Sequence, residues 1–126
     1  MKKLVTIFLF LGFIQGANAS FIDSLDGSYL TDTSSGLDWL DVTASIGQSY
    51  GDVSTQFSSG NVYEGWRYAS WFELDSLVET AIVSSDTRSL IDLLGITFST
   101  STVVATIGMT ETGGFLDFGL SYIVDG

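Results

Sequence analysis

The stretch Ser70-Trp71-Phe72-Glu73 sets a hydroxyl three residues ahead of a carboxylate, and an apolar stripe follows it. In a capping box the N-cap serine accepts from the N3 amide, while the N3 glutamate reaches back to the N-cap amide. Trp71, Leu74, Leu77, Val78, Ala81 and Ile82 then recur at the spacing of one helix face. The pattern predicts an amphipathic helix starting at Trp71, with Ala69 and Leu74 in the staple positions. The cap is worth about 1 kcal/mol. Each Leu, Ile or Val buried from the stripe is worth roughly 1.5–3 kcal/mol. Burial outweighs the cap, so this helix requires an apolar partner.

Short extended segments supply one. In residues 28–43, Tyr29 and Leu30 open a strand, Thr33 to Gly36 carry turn residues, and Leu37 and Trp39 alternate with Asp38. Leu40 breaks the alternation. Residues 49–60 read as a short helix with Ser49 as cap, Asp52 three residues on, and Tyr50, Val53 and Phe57 on one face, ended by Gly60. Trp66 to Ala69 read as extended. Residues 84–95 predict a further helix capped by Ser85 or Asp86, burying Leu90, Ile91, Leu93 and Leu94 and ending at Gly95. Residues 102–109 and 115–126 are β-rich, and 110–114 read as the hairpin turn between them. The fold class is α+β: a small antiparallel sheet with two or three short helices, including the helix from Trp71 packed on a sheet that contains Trp39. The chain stops directly after a strand, an ending that suits a fragment as well as a natural terminus.

The first nineteen residues read differently. Lys2 and Lys3 precede an apolar run from Leu4 to Ile14, and Ala17-Asn18-Ala19 is a small-x-small cleavage site. These are the parts of a secretory signal peptide, and the run is too short for a membrane span of about 20 residues. Residues 20–126 are then one secreted domain of 107 residues, with no membrane attachment after cleavage. That domain keeps two arginines, Arg67 and Arg88, against fifteen carboxylates, a difference of thirteen negative charges. Such a surface repels nucleic acid, anionic lipid and sulfated glycans. The chain has no Cys, so no disulfide holds it. It has no His, which removes the usual general base, the histidine-dependent nucleophile systems and the usual zinc sites. The metals the composition leaves are cations that take oxygen ligands, such as calcium.

The remaining raw material for chemistry is sparse. Asp38 and Asp41 flank Trp39-Leu40, but a glycosidase needs two carboxyls about 5–9.5 Å apart across a cleft, and a domain of this size is expected to have little room for one. Both aspartates read better as solvated strand-edge residues, or Asp41 as the cap of a turn. Asp23 and Asp26 precede Gly27, a weak calcium signal that lacks the oxygens and terminal Glu of an EF-hand loop and reads better as a turn at the mature amino terminus. No catalytic, cofactor-binding or metal-ligating residue is assigned. Arg67, between Trp66 and Tyr68, is expected to be structural and to pair with a nearby carboxylate.

The order "GLDWLDVT", "SY", "GWRYASWFE" resembles PEP-CTERM-associated exported bacterial proteins. The matching positions are Gly36, Leu37, Trp39, Leu40, Asp41 and Thr43, then Ser49 and Tyr50, then Gly65, Arg67, Tyr68, Ala69 and Glu73. More distantly the chain is similar to an exported domain with the pattern "TGLxW … WRLPTxxEL", where Tyr68-Ala69 stand in place of Leu-Pro. That resemblance implies a C-type-lectin-like fold, and some members of the broader family are associated with adhesion to sulfated glycans, which this chain's acidity opposes. The sugar-binding loops of calcium-dependent lectins, Glu-Pro-Asn or Gln-Pro-Asp with Trp-Asn-Asp, do not occur in this sequence. Nor does the terminal sorting segment of the PEP-CTERM group.

The expected function is therefore non-enzymatic: a secreted, extracellular or cell-surface binding component of a matrix or exopolysaccharide. Its partner would be neutral polysaccharide or another surface protein. The alternative is a self-associating structural domain, with a glycan hydrolase behind both. Processing is expected between Ala19 and Ser20: mass spectrometry of exported protein should find Ser20 first, and an intact Met1 in the membrane fraction would mean an anchor instead.

Overall fold

The computed structural model describes residues 20–108, 111 and 118–124. The leader, and all of the 110–114 turn except Glu111, lie outside the described residues. The fold is α+β, with two three-stranded antiparallel sheets where the sequence suggested one. The first sheet holds β1 (Phe21–Asp23), β2 (Tyr29–Asp32) and β3 (Asp38–Leu40). Leu30 lies opposite Trp39, and Phe21 opposite Asp32. The second holds β4 (Phe98–Ser99), β5 (Val103–Gly108) and β6 (Phe118–Ile123), with β5 in the middle. Three helices, α1 (Tyr50–Ser54), α2 (Trp71–Val83) and α3 (Thr87–Leu94), lie between the sheets in sequence.

Turn chemistry sets the hairpins of the first sheet. Asp26 accepts from the Ser24 and Ser28 hydroxyls and the Ser28 amide, closing β1 to β2. These bonds hold its carboxyl below the ordinary value, with the Ser28 hydroxyl contributing most. Between β2 and β3 the buried Asp32 accepts from the Ser34 amide at 2.9 Å and the Ser35 hydroxyl at 2.7 Å. Gly36 completes that turn at φ +72°, a conformation that favours glycine.

Both sheets share a core. Leu74, Leu77 and Ala81 of α2 meet Leu90 and Leu94 of α3, Phe21 and Leu30 of the first sheet, and Trp39 and Leu120 at its edge. The predicted packing of α2 on the sheet of Trp39 is present. The predicted stripe was too wide: Trp71 and Ile82 are exposed, at 52% and 63%. In α3, Leu90, Ile91 and Leu94 are buried and Leu93 is half-buried. Asp86 is its N-cap but makes no side-chain cap bond. Helix α1 stops at Ser54, well short of Gly60, as the chain turns back through a Tyr63 amide bond to the Gln56 carbonyl. Residues 66–70 belong to neither sheet.

Gly95 joins the parts. Its φ of +93° and ψ of 136° lie in a region nearly closed to other residues. A Cβ there would run into the Asp41 carboxylate and come within 2.7 Å of Thr43 Cγ2. Gly36, with open space at its Cβ position, is the control. Gly95→Ala should therefore cost on the order of 2–4 kcal/mol, from backbone strain and overpacking together. Gly36→Ala should cost only about 1–2 kcal/mol. Chemical denaturation of both variants checks the order; equal losses would mean the close approach to Asp41 carries no energy.

Candidate functional site

A cleft of about 770 Å³ opens between the β3 edge, α1 and the 63–69 segment. This overturns the expectation that so small a domain leaves no room for one. The space comes from short and irregular chain: much of its lining lies in the 3-10 turn of residues 42–45, in turns and in the 65–69 coil.

Aromatic rings form its walls. Tyr68 stacks on Tyr50 with ring centroids 4.2 Å apart and planes 7° from parallel. Phe57 meets Tyr68 edge-on at 5.1 Å, so Tyr50 and Phe57 share a face as predicted although α1 ends between them. Trp66 packs on Tyr29 at 6.0 Å. The Tyr68 hydroxyl donates to the Tyr50 carbonyl at 3.0 Å, and burial pushes this phenol above its ordinary value. Trp39 also lines the cleft, and its buried indole N–H has no hydrogen-bond partner among the described residues.

One side of the cleft is closed to further hydrogen bonding. The Tyr63 hydroxyl donates to the Ala44 carbonyl at 2.9 Å and accepts from Gln48 at 3.0 Å, while Gln56 donates to Gln48 at 2.8 Å. Tyr63 is buried, and nothing in its sequence surroundings marks it; its part in the site comes only from the returning chain.

Arg67 and Glu73 stand at the cleft as a two-toothed pair, with Nη2 to Oε1 at 2.5 Å and Nη1 to Oε2 at 2.8 Å. Arg67 also donates to the Tyr68 carbonyl. Glu73 Oε2 accepts the Ser70 amide at 2.8 Å, and Ser70 Oγ accepts the Glu73 amide, so the predicted capping box is complete. Arg67 thus finds its carboxylate on the helix cap, though it departs from a coil segment and not from the strand foreseen. The guanidinium, followed by the Ser70 amide, drops the Glu73 carboxyl to about 2. A second capping box, Ser49 with Asp52, starts α1.

The other candidate acids are used locally. Asp38 accepts the Thr31 hydroxyl across the ladder at 2.6 Å. Asp41 caps the 3-10 turn at Val42–Ser45 through Thr43. Both also line the cleft. Asp23 lies on β1 and Asp26 in the turn beyond it. Among the described residues no cluster of three or more acidic side chains is arranged to hold a metal ion. No helix among them is long and apolar enough to cross a membrane.

Comparison with protein-family models, with curated proteins and with solved structures finds no match. What defines the site is the chain itself: of the thirteen positions carrying the sequence resemblance, all but Thr43 line this cleft.

Arg67→Ala should cost under about 1 kcal/mol, because the arginine is 63% exposed. Arg67→Lys should recover part of that, since an ammonium cannot form the fork. Glu73→Ala should cost more than Arg67→Ala, about 1–2 kcal/mol, because the cap goes with the pair. Glu73 is more acidic folded than unfolded, so its contribution is whole above the unfolded value of 4.5 and fades as pH falls toward about 2. Between those limits the wild type should lose its stability margin over Glu73→Ala. Melting curves at several pH values check it, and a margin unchanged by pH would refute the ion pair's role.

Proposed function

We propose that the protein is a secreted, non-enzymatic extracellular component that binds polysaccharide in the aromatic cleft. The observation that carries this reading is the convergence on one 770 Å³ cleft of the Tyr50–Tyr68 stack, Trp66 and Trp39. Ligand sites are concave, mostly apolar and aromatic, with a few polar groups placed among them. A sugar ring offers an apolar face to such an aromatic wall. The leader supports export, and the acidic surface opposes sulfated or carboxylated chains. Membership of the PEP-CTERM-associated group, with a C-type-lectin-like fold, belongs to the same proposal. Its support is the ordered motif from Gly36 to Glu73.

A second reading, self-association as a structural domain, has one observation behind it. Phe72 and Val83 on α2 are 84% and 79% exposed, with Trp71 and Ile82 beside them. Concentration-dependent sedimentation without added glycan would favour it.

Titration calorimetry with neutral oligosaccharides and with sulfated ones of equal length tests the first reading. The neutral chains should bind, the sulfated ones should not, and Trp66→Ala should weaken binding by roughly tenfold, a loss of about 1.4 kcal/mol. Affinity unchanged by Trp66→Ala, in a variant that melts cooperatively, would place the ligand elsewhere.

A further inference from the structure

Among the described residues, four charged side chains line the cleft: Asp38, Asp41, Arg67 and Glu73. Two of them cancel, since the Arg67 guanidinium is engaged by both Glu73 oxygens. The other two keep capacity. Asp38 Oδ1 accepts Thr31, and Asp41 Oδ1 accepts the Thr43 amide and hydroxyl. No hydrogen bond among the described residues reaches Oδ2 of either. The cleft is therefore net negative, beside rings whose faces attract cations. The whole chain, at a formal charge of −11, steers cations inward and anions away.

We propose that the polysaccharide this cleft prefers carries protonated amines. An amino sugar matches both parts of the surface: its ring face lies on Trp66 or Tyr50, and its ammonium approaches the open oxygen of Asp38 or Asp41. A neutral sugar makes only the first contact, and an anionic one meets repulsion. Carboxylates alone would attract any polycation; the aromatic wall beside them restricts the ligand to chains with flat apolar faces. The proposal rests on the reading of the cleft as a glycan site.

Calorimetry on the full chain, with a glucosamine hexasaccharide, its fully N-acetylated form and hexalysine, tests it. The amine form should bind about fivefold or more tighter than the acetylated form, the scale of an exposed cation–π or ion-pair contact. The gap should narrow as sodium chloride rises from about 0.05 to about 0.5 M. Asp38→Asn, which keeps an acceptor for Thr31, should also narrow it. Trp66→Ala should weaken the amine sugar, with melting curves confirming that both variants fold. Equal binding of the two sugars overturns the amine preference and leaves the cleft reading standing. Binding of neither removes both. Hexalysine binding as tightly as the amine sugar, or affinity that survives Trp66→Ala, would mean diffuse attraction to an acidic surface and overturns the proposal.

Discussion

One buried hydroxyl makes a polar tie between the two halves of this protein, within the core they share. Thr106, in the middle of β5, is fully buried and faces the end of α3, where its Oγ1 lies 2.6 Å from the Gly95 carbonyl and 3.2 Å from that of Ile91. The last carbonyls of a helix have no partner within it, and a buried carbonyl left unpaired costs about 1–3 kcal/mol. A threonine of the second sheet supplies the donor. The same Gly95 lies against Asp41, just beyond β3 of the first sheet. A chain without disulfides thus ties sheet to helix to sheet at a point where only glycine fits.

The cleft depends on that junction because Asp41 belongs to both. Its carboxylate organises the turn after β3, and that turn forms one wall. Among the described residues, no strand pairs with residues 66–70 of the opposite wall. Glu73 holds it instead, gripping Arg67 and the Ser70 amide at once. Glu111 adds a tie: its amide donates to the Ala69 carbonyl and its carbonyl accepts the Tyr50 hydroxyl, both at 2.9 Å. The segment carrying Trp66 and Tyr68 is fixed from its flanks, leaving its rings free to line a cavity.

Local features were legible in the sequence where their physics is local. Both capping boxes, the Gly36 turn and the Gly95 stop depend on residues at most a few positions apart, and each could be read directly. The edges of elements could not. Trp71 and Ile82 fit the helical period, but whether the margins of a stripe are covered depends on how far the partner surface extends, and here it ends at Leu74 and Ala81. Strand β1, directly after the leader, is too short to show a period, so only the Asp26 turn beside it was visible. Its existence, and that of a second sheet, depend on pairing across the fold. The cleft was missed for the same reason: Trp39, Tyr50, Tyr63 and Tyr68 are spread over about thirty residues, and no local pattern brings them together.

The polar groups along the cleft divide by whether their bonding is already complete. Gln48, Gln56 and the Tyr63 hydroxyl bond one another and the Ala44 carbonyl, so they have little left to offer a ligand. Their use is to hold the 44–63 region still. A wall fixed in advance loses little entropy when something binds, and that saving goes to affinity. The Tyr50–Tyr68–Phe57 cluster is held in the same way, by edge and face contacts and by the Tyr68 hydroxyl bond. Among the described residues, what remains open to a ligand at the cleft is therefore a short set: ring faces and the outer oxygens of Asp38 and Asp41. Discrimination among ligands has to come from these groups, because the others are occupied in holding the cleft open.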